Sequence, residues 1–308
     1  MDMTPLLDLV RQRIVASATS PFGHAEYPLA HTLDHRGDRG LFGPGSASWK
    51  IIGDVSAFAG GIRALLIQAA HPEVVAGVEQ HSRYREDPLG RLSRTSAYVT
   101  ATTYGALPEV DEAIAFVGGA HSGVSGVSHR GHHYAATNPA HASWVHNVLT
   151  DSFLQTYRRF GRDPVSPEEA DRFVAEQATI GTMMLADDLP TTAGDLADWV
   201  ADHPALDRSP GMIEAVGFLA DPPLSTGQRA GYRLLLAAAV STVPRRIVDI
   251  LGVPNRPGQA ALGAKAIDLL RWALGSSPSW HLALIRTGAD IPDGIFTQRL
   301  VVDLPEHD

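Results

Sequence analysis

The chain of 308 residues is long enough for one large domain or two ordinary ones, and 44 % hydrophobic residues suffice for a sizeable buried core. Its 25 Lys and Arg against 34 Asp and Glu leave a net charge of -9 without any long basic run, which argues against nucleic acid or an anionic membrane surface as the main partner. There is no cysteine, which excludes disulfides, a thiolate nucleophile and any cofactor held through cysteine, so a metal ligand has to be histidine, carboxylate or another oxygen.

In chain order, the opening MDMTPLLDLVRQRIVASATS sets apolar residues at helical spacing between charges and predicts a helix over 4–17. It lacks the continuous apolar run of a signal peptide, so a cytoplasmic location is the default expectation. Residues 22–47, rich in Gly, Pro and His and without periodicity, read as a long loop. The longest nearly uncharged stretch, Val55 to Ala70, is too short for a membrane span and contains Arg63 and Gln68, which makes it a core helix over 56–70 rather than a transmembrane segment. Helical spacing recurs at 109–121, 144–159, 167–185, 226–251 and 259–274. Ser166-Pro167-Glu168-Glu169 places a cap, a proline and two acids where a helix start favours them. Asp221-Pro222-Pro223 separates a central helical region from a C-terminal pair of helices without a shift in composition. The expected architecture is all-α: an N-terminal helix and loop over 1–48, then a single large, bundle-like helical domain over 49–308. The sequence sets no oligomeric state.

Fourteen histidines make imidazole the available donor for a transition metal. His129, His132 and His133 in SHRGHHY read as a polar turn rather than a metal cluster, and His141 and His146 stand five apart, which suits no helical two-His site. His71 follows an apolar helix and His81 a second one, so both are expected to act at helix C-termini. His121 ends the amphipathic AIAFVGGAH, where Gly118, Gly119 and Ala120 would let a flat group approach the backbone; a hydrogen-bonded helix-end histidine is the other reading of that segment. In DPLGRLSRTSAYV, Asp87 and Pro88 start a helix that puts Arg91, Arg94 and Thr95 on one face. Such a face can bind carboxylates, hydrogen-bond a reduced oxygen species, or pair with acids such as Glu86 and Asp87.

The stretch GGIRALLIQAAHPEVVAGVEQHSRYREDPLGRLSRTSAYVTATTYG within Trp49–Gly105 resembles the haem-binding oxygenase-like family that includes the fungal MpaB oxygenase and the bacterial latex-clearing protein. The likeness continues through the helix ending in His121, Tyr134, WVHNVLTDSFLQTYRRFG at 144–161, and the PPL and LLLAAAVSTVPRRI segments. It implies a nearly all-helical domain enclosing one non-covalent haem b, with His121 as the axial iron ligand and Arg91 and Thr95 beside the haem in cofactor and oxygen handling. Arg94 falls where the rubber-cleaving branch carries a lysine able to close the distal iron position, and a guanidinium has no lone pair to do so. The branch's carboxylate base matches neither Glu73 nor Glu79 uniquely. The implied activity is oxidation or cleavage of an apolar, isoprenoid-type small molecule with O2; the alternatives are a haem-binding or haem-sensing protein without turnover, and a His/carboxylate metal hydrolase.

Overall fold

The computed structural model describes residues 4–300 and 302. Its helices in chain order are α1 (Thr4–Thr19), α2 (Ala47–Gly53), α3 (Ala57–Ala69), α4 (Pro72–His81), α5 (Pro88–Tyr104), α6 (Leu107–His121), α7 (Pro139–Phe160), α8 (Pro167–Met183), α9 (Ala193–Asp202), α10 (Pro210–Ala220), α11 (Thr226–Val240), α12 (Arg245–Leu251), α13 (Gln259–Leu274) and α14 (Pro278–Thr287). Among the described residues the one sheet is an antiparallel hairpin of β1 (Ser125–Val127) and β2 (His133–Ala135), so the fold is all-α. No single helix among them is long and apolar enough to cross a membrane.

A recurrent local code starts these helices. His71-Pro72, Asp87-Pro88, Asn138-Pro139, Ser166-Pro167 and Ser209-Pro210 each place a side-chain acceptor on an orphan amide of the first turn and a proline where its missing N–H costs nothing. Proline also breaks one expected element. The periodicity over 226–251 predicts one helix, but Pro244 cannot donate to the ladder and disfavours helical backbone at Val243, so α11 ends at Val240 and Pro244 caps α12.

The chain forms two compact units. The first comprises the chain up to Val55, Tyr84–Ala115 and the chain from Leu269. Its core joins Leu29, Trp49, Tyr104, Ala283 and Leu284; the Trp49 indole donates to the Thr103 carbonyl at 2.7 Å and the Tyr104 hydroxyl to the Trp49 carbonyl at 3.0 Å. The long loop expected over 22–47 is tied down here by buried Arg286, which donates to Thr32 Oγ1 at 2.6 Å, to the Asp38 carbonyl at 2.9 Å and to the Gly105 carbonyl at 3.3 Å.

The second unit comprises Ser56–Arg83 and Phe116–Asp268. Here α3 lies along α7, and a Cβ on Gly60 would sit 2.8 Å from the Phe153 ring, so the close approach of the two helices requires glycine at that position. Arg63 on α3 and Asp151 on α7 form an ion pair at 2.8 Å, with side chains 1 % and 2 % exposed. The guanidinium also donates to Ser152 Oγ at 2.8 Å and to the Thr242 carbonyl at 3.3 Å, while Gln155 donates to the second Asp151 oxygen at 2.9 Å. Both charges are therefore paired and hydrogen-bonded, the condition under which a buried pair is tolerated. Asp151→Ala strands the arginine in the core and is expected to cost about 3–5 kcal/mol in chemical denaturation. A loss below about 1 kcal/mol would show that the pair is hydrated and structurally minor.

Candidate functional site

On α5, in the first unit, Asp87 caps the helix by accepting from the Gly90 amide at 3.0 Å, and its other oxygen takes Arg94 Nη1 at 3.2 Å. Arg94 is thus an exposed partner of the cap. Thr95, also exposed, donates its hydroxyl to the Arg91 carbonyl at 3.0 Å and keeps its oxygen available as an acceptor. Arg91 differs from Arg94: it is half-buried, its guanidinium lies 5.9 Å over the Tyr84 ring, and no acid among the described residues pairs with it. Burial pushes its pKa down, but an arginine remains a cation. Tyr98, seven residues on, shares this face; burial raises its phenol above the ordinary range, so it is a neutral donor, and none of the described groups hydrogen-bonds its hydroxyl. Its place at i+7 from Arg91 was a signal available in the sequence.

His121 ends α6 and falls in the second unit. Its ring is half-buried, burial lowers its pKa, and no group among the described residues hydrogen-bonds it. The helix-end capping role is therefore not what it performs; what remains is a neutral imidazole, the metal-ligating form. Around it the helix is open. Phe116 is 66 % exposed, Gly118 and Gly119 are exposed, and a Cβ at either glycine would meet nothing within 4 Å. In all of α6 the buried residues are Glu109 and Val110, both at its start.

Next to this helix end, α4 departs from expectation. His71 does follow the C-cap of the apolar α3, but its ring serves the next helix as the N-cap of α4, its Nδ1 facing the Val74 amide at 3.5 Å. His81 does close α4, and its Nε2 lies 3.0 Å from the Ser125 carbonyl. The histidines of SHRGHHY are exposed and lie in or beside the hairpin turn, where Gly131 takes φ +77°. Glu73 is the charged centre of this region. Burial pushes its carboxyl up, but hydrogen bonds from Arg130 and Ser128 outweigh that and hold it at about 2. Arg130 donates to both oxygens, at 2.6 Å and 3.2 Å, Ser128 donates at 3.0 Å, and His71 and His132 stand at 3.5 Å and 3.4 Å. A carboxylate so occupied has no basicity to offer. Glu79 instead borders a cleft of about 280 Å³ with Gln80, His129 and Ser209.

The sequence had no signal for the company His71 keeps. His141 and His203 bring their rings to 5.5 Å from it, and the His203 ring lies tilted at 4.7 Å against both Trp144 and Trp199. Among the described residues no three His, Asp or Glu side chains converge on a metal position.

Burial, aided in His71 by neighbouring His203, lowers both His71 and His146 to about 4. An unfolded imidazole titrates near 6.5, so between these values the unfolded chain binds more protons. The stabilisation is complete above pH 6.5 and is lost as pH falls toward about 4, on the order of 3 kcal/mol per histidine. Thermal melts from pH 7 to 4 are expected to show Tm falling mostly in this window, above the range in which Glu73 titrates; a flat profile would mean that neither ring is desolvated.

The family model described as ER-bound oxygenase mpaB/B'/Rubber oxygenase, catalytic domain, matches residues 49–273. No curated protein and no solved structure matches the chain.

Proposed function

Because the chain belongs to the family of the ER-bound oxygenase mpaB/B' and rubber oxygenase catalytic domains, we propose that it is a haem b-dependent oxygenase acting with O2 on an apolar, isoprenoid-type small molecule. Family membership implies oxygenase-type chemistry; haem, substrate class and residue roles are our reading. The observation that carries it is His121: a neutral imidazole with no hydrogen-bond partner among the described residues, at the end of an amphipathic helix whose exposed glycines leave room for a planar macrocycle against the backbone. A single imidazole donor suits a metal whose equatorial ligands come from a porphyrin and does not suit a hydrolytic zinc site, which needs three protein ligands. When bound, the haem supplies the activation of O2.

The protein's part is to hold, orient and polarise. His121 would offer the axial lone pair. Arg91, a cation with no carboxylate partner among the described residues, would complement a haem propionate or negative charge developing on oxygen, and Thr95 would accept or redirect a hydrogen bond beside it. Arg94 is tethered to Asp87 and offers no lone pair, so it cannot close the distal iron position as the lysine of the rubber-cleaving branch does. That position is then left to water, another histidine or no ligand. A cytoplasmic location accords with these roles, which require no membrane anchor.

Titrating haem into the purified protein is expected to give a Soret band that saturates at one equivalent. His121→Ala should abolish or shift that band, and Arg91→Ala should weaken haem binding by about tenfold or more. No Soret band from the wild type would sink the proposal. Oxygen uptake with a panel of isoprenoid substrates then separates turnover from binding: stoichiometric haem without oxygen consumption would make the chain a haem carrier or sensor.

A further inference from the structure

The last turn of α6 presents a mechanical problem. Its buried residues are at its start, and a helix end without buried contacts frays at almost no cost. His121 sits in that end. The chain that follows supplies what helix packing does not. The Val124 amide donates to the His121 carbonyl at 3.0 Å, the Ala136 amide to the Val124 carbonyl at 2.9 Å, and between them runs the hairpin pairing Ser125 with Ala135 and Val127 with His133. Two strands of three residues do not hold together alone.

This hairpin is clamped to α4 at both ends. At the open end, His81 Nε2 meets the Ser125 carbonyl at 3.0 Å; further along the strands Gln80 donates to the Val127 carbonyl at 3.2 Å and accepts from the Tyr134 hydroxyl at 2.7 Å. At the turn, Arg130 and Ser128 bind buried Glu73 through the contacts described above, and Arg130 also reaches the Ala205 carbonyl at 3.4 Å. Among these only Arg130–Glu73 is a bidentate, charge-assisted pair, the strongest and most directional of the set.

We infer that Arg130 is a positioning residue for His121: by fixing the hairpin turn on Glu73, it holds the strand that begins four residues beyond the ligand and sets the orientation of the imidazole. The inference rests on the haem reading of His121, but its mechanical half does not.

The test uses full-length Arg130→Gln, Arg130→Lys and Gln80→Ala. Without cofactor, hydrogen–deuterium exchange at residues 118–124 is expected to accelerate about tenfold in Arg130→Gln, with α3 and α7 unchanged and Arg130→Lys partly restoring protection. With haem added, Arg130→Gln should lower affinity and broaden the iron–histidine stretching band of the reduced protein. Should Arg130→Gln fail to fold, Gln80→Ala removes two further hydrogen bonds between α4 and the hairpin at an exposed position and must accelerate exchange in the same segment. Folded variants with wild-type exchange at 118–124 overturn the clamp. Accelerated exchange with an unchanged iron–histidine band overturns the positioning role. A wild type that takes up no haem overturns the cofactor assignment, whereas the exchange result still decides the clamp.

Discussion

A carboxylate taken out of water has to be answered by charge or hydrogen bonds, and in the second unit Glu73 is answered by Arg130, Ser128 and the start of α4. The cost of burying Glu73 is large, so the groups that neutralise it are not free to wander. Arg130 and Ser128 lie on the hairpin turn, and the hairpin begins four residues beyond His121. One electrostatic requirement therefore propagates into the geometry of a metal-ligand candidate. The same requirement removes Glu73 from consideration as a base: the bonds that make it a good anchor make it a poor proton acceptor.

The second buried ion pair, Arg63 with Asp151, obeys the same physics to a different end. It joins the middles of two helices, and its neighbours engage Nε and Nη1 of the guanidinium and both carboxylate oxygens. Replacing such a pair by apolar residues can be neutral, whereas removing one partner is severe. Its contribution is to register α3 against α7. Glu73–Arg130, by contrast, joins a helix to a short hairpin that has little apolar burial of its own, so its directional bonds carry a larger share of the local stability.

Helix positions were largely readable from the sequence, because each rests on local information: apolar spacing, a capping side chain and proline at the first turn, as at Ser166-Pro167. The same logic shows why 226–251 was misread as one helix, since periodicity continues through Pro244 while the backbone does not. Asp87-Pro88 likewise placed Arg91, Arg94 and Thr95 on a common face. What the sequence does not contain is which polar group finds which partner. Nothing distinguishes Arg91 from Arg94 by spacing, yet one pairs with the cap and the other has no acid among the described residues. His71 does follow α3, yet its ring caps α4, because a histidine before proline fits an ending as well as a beginning. Glu73–Arg130 spans fifty-seven positions and no periodicity announces it.

The exposure of α6 near His121 is best understood through linkage. An apolar helix end with hydrated faces is costly, and any ligand that covers it is favoured by the surface removed from water, roughly 25 cal/mol per Å². A macrocycle bound there would do more than occupy the imidazole: it would bury Phe116 and Val117, order the last turn and raise the stability of the folded state with the logarithm of its concentration over its Kd. The hairpin clamp lowers the entropy that such ordering would otherwise cost, because His121 is held from its C-terminal side before anything binds. A clamp alone would give a rigid histidine with no cofactor, and an open apolar helix alone a cofactor without fixed ligation. Their conjunction at residues 116–136 is what the proposed role of the His121 imidazole as a donor would require.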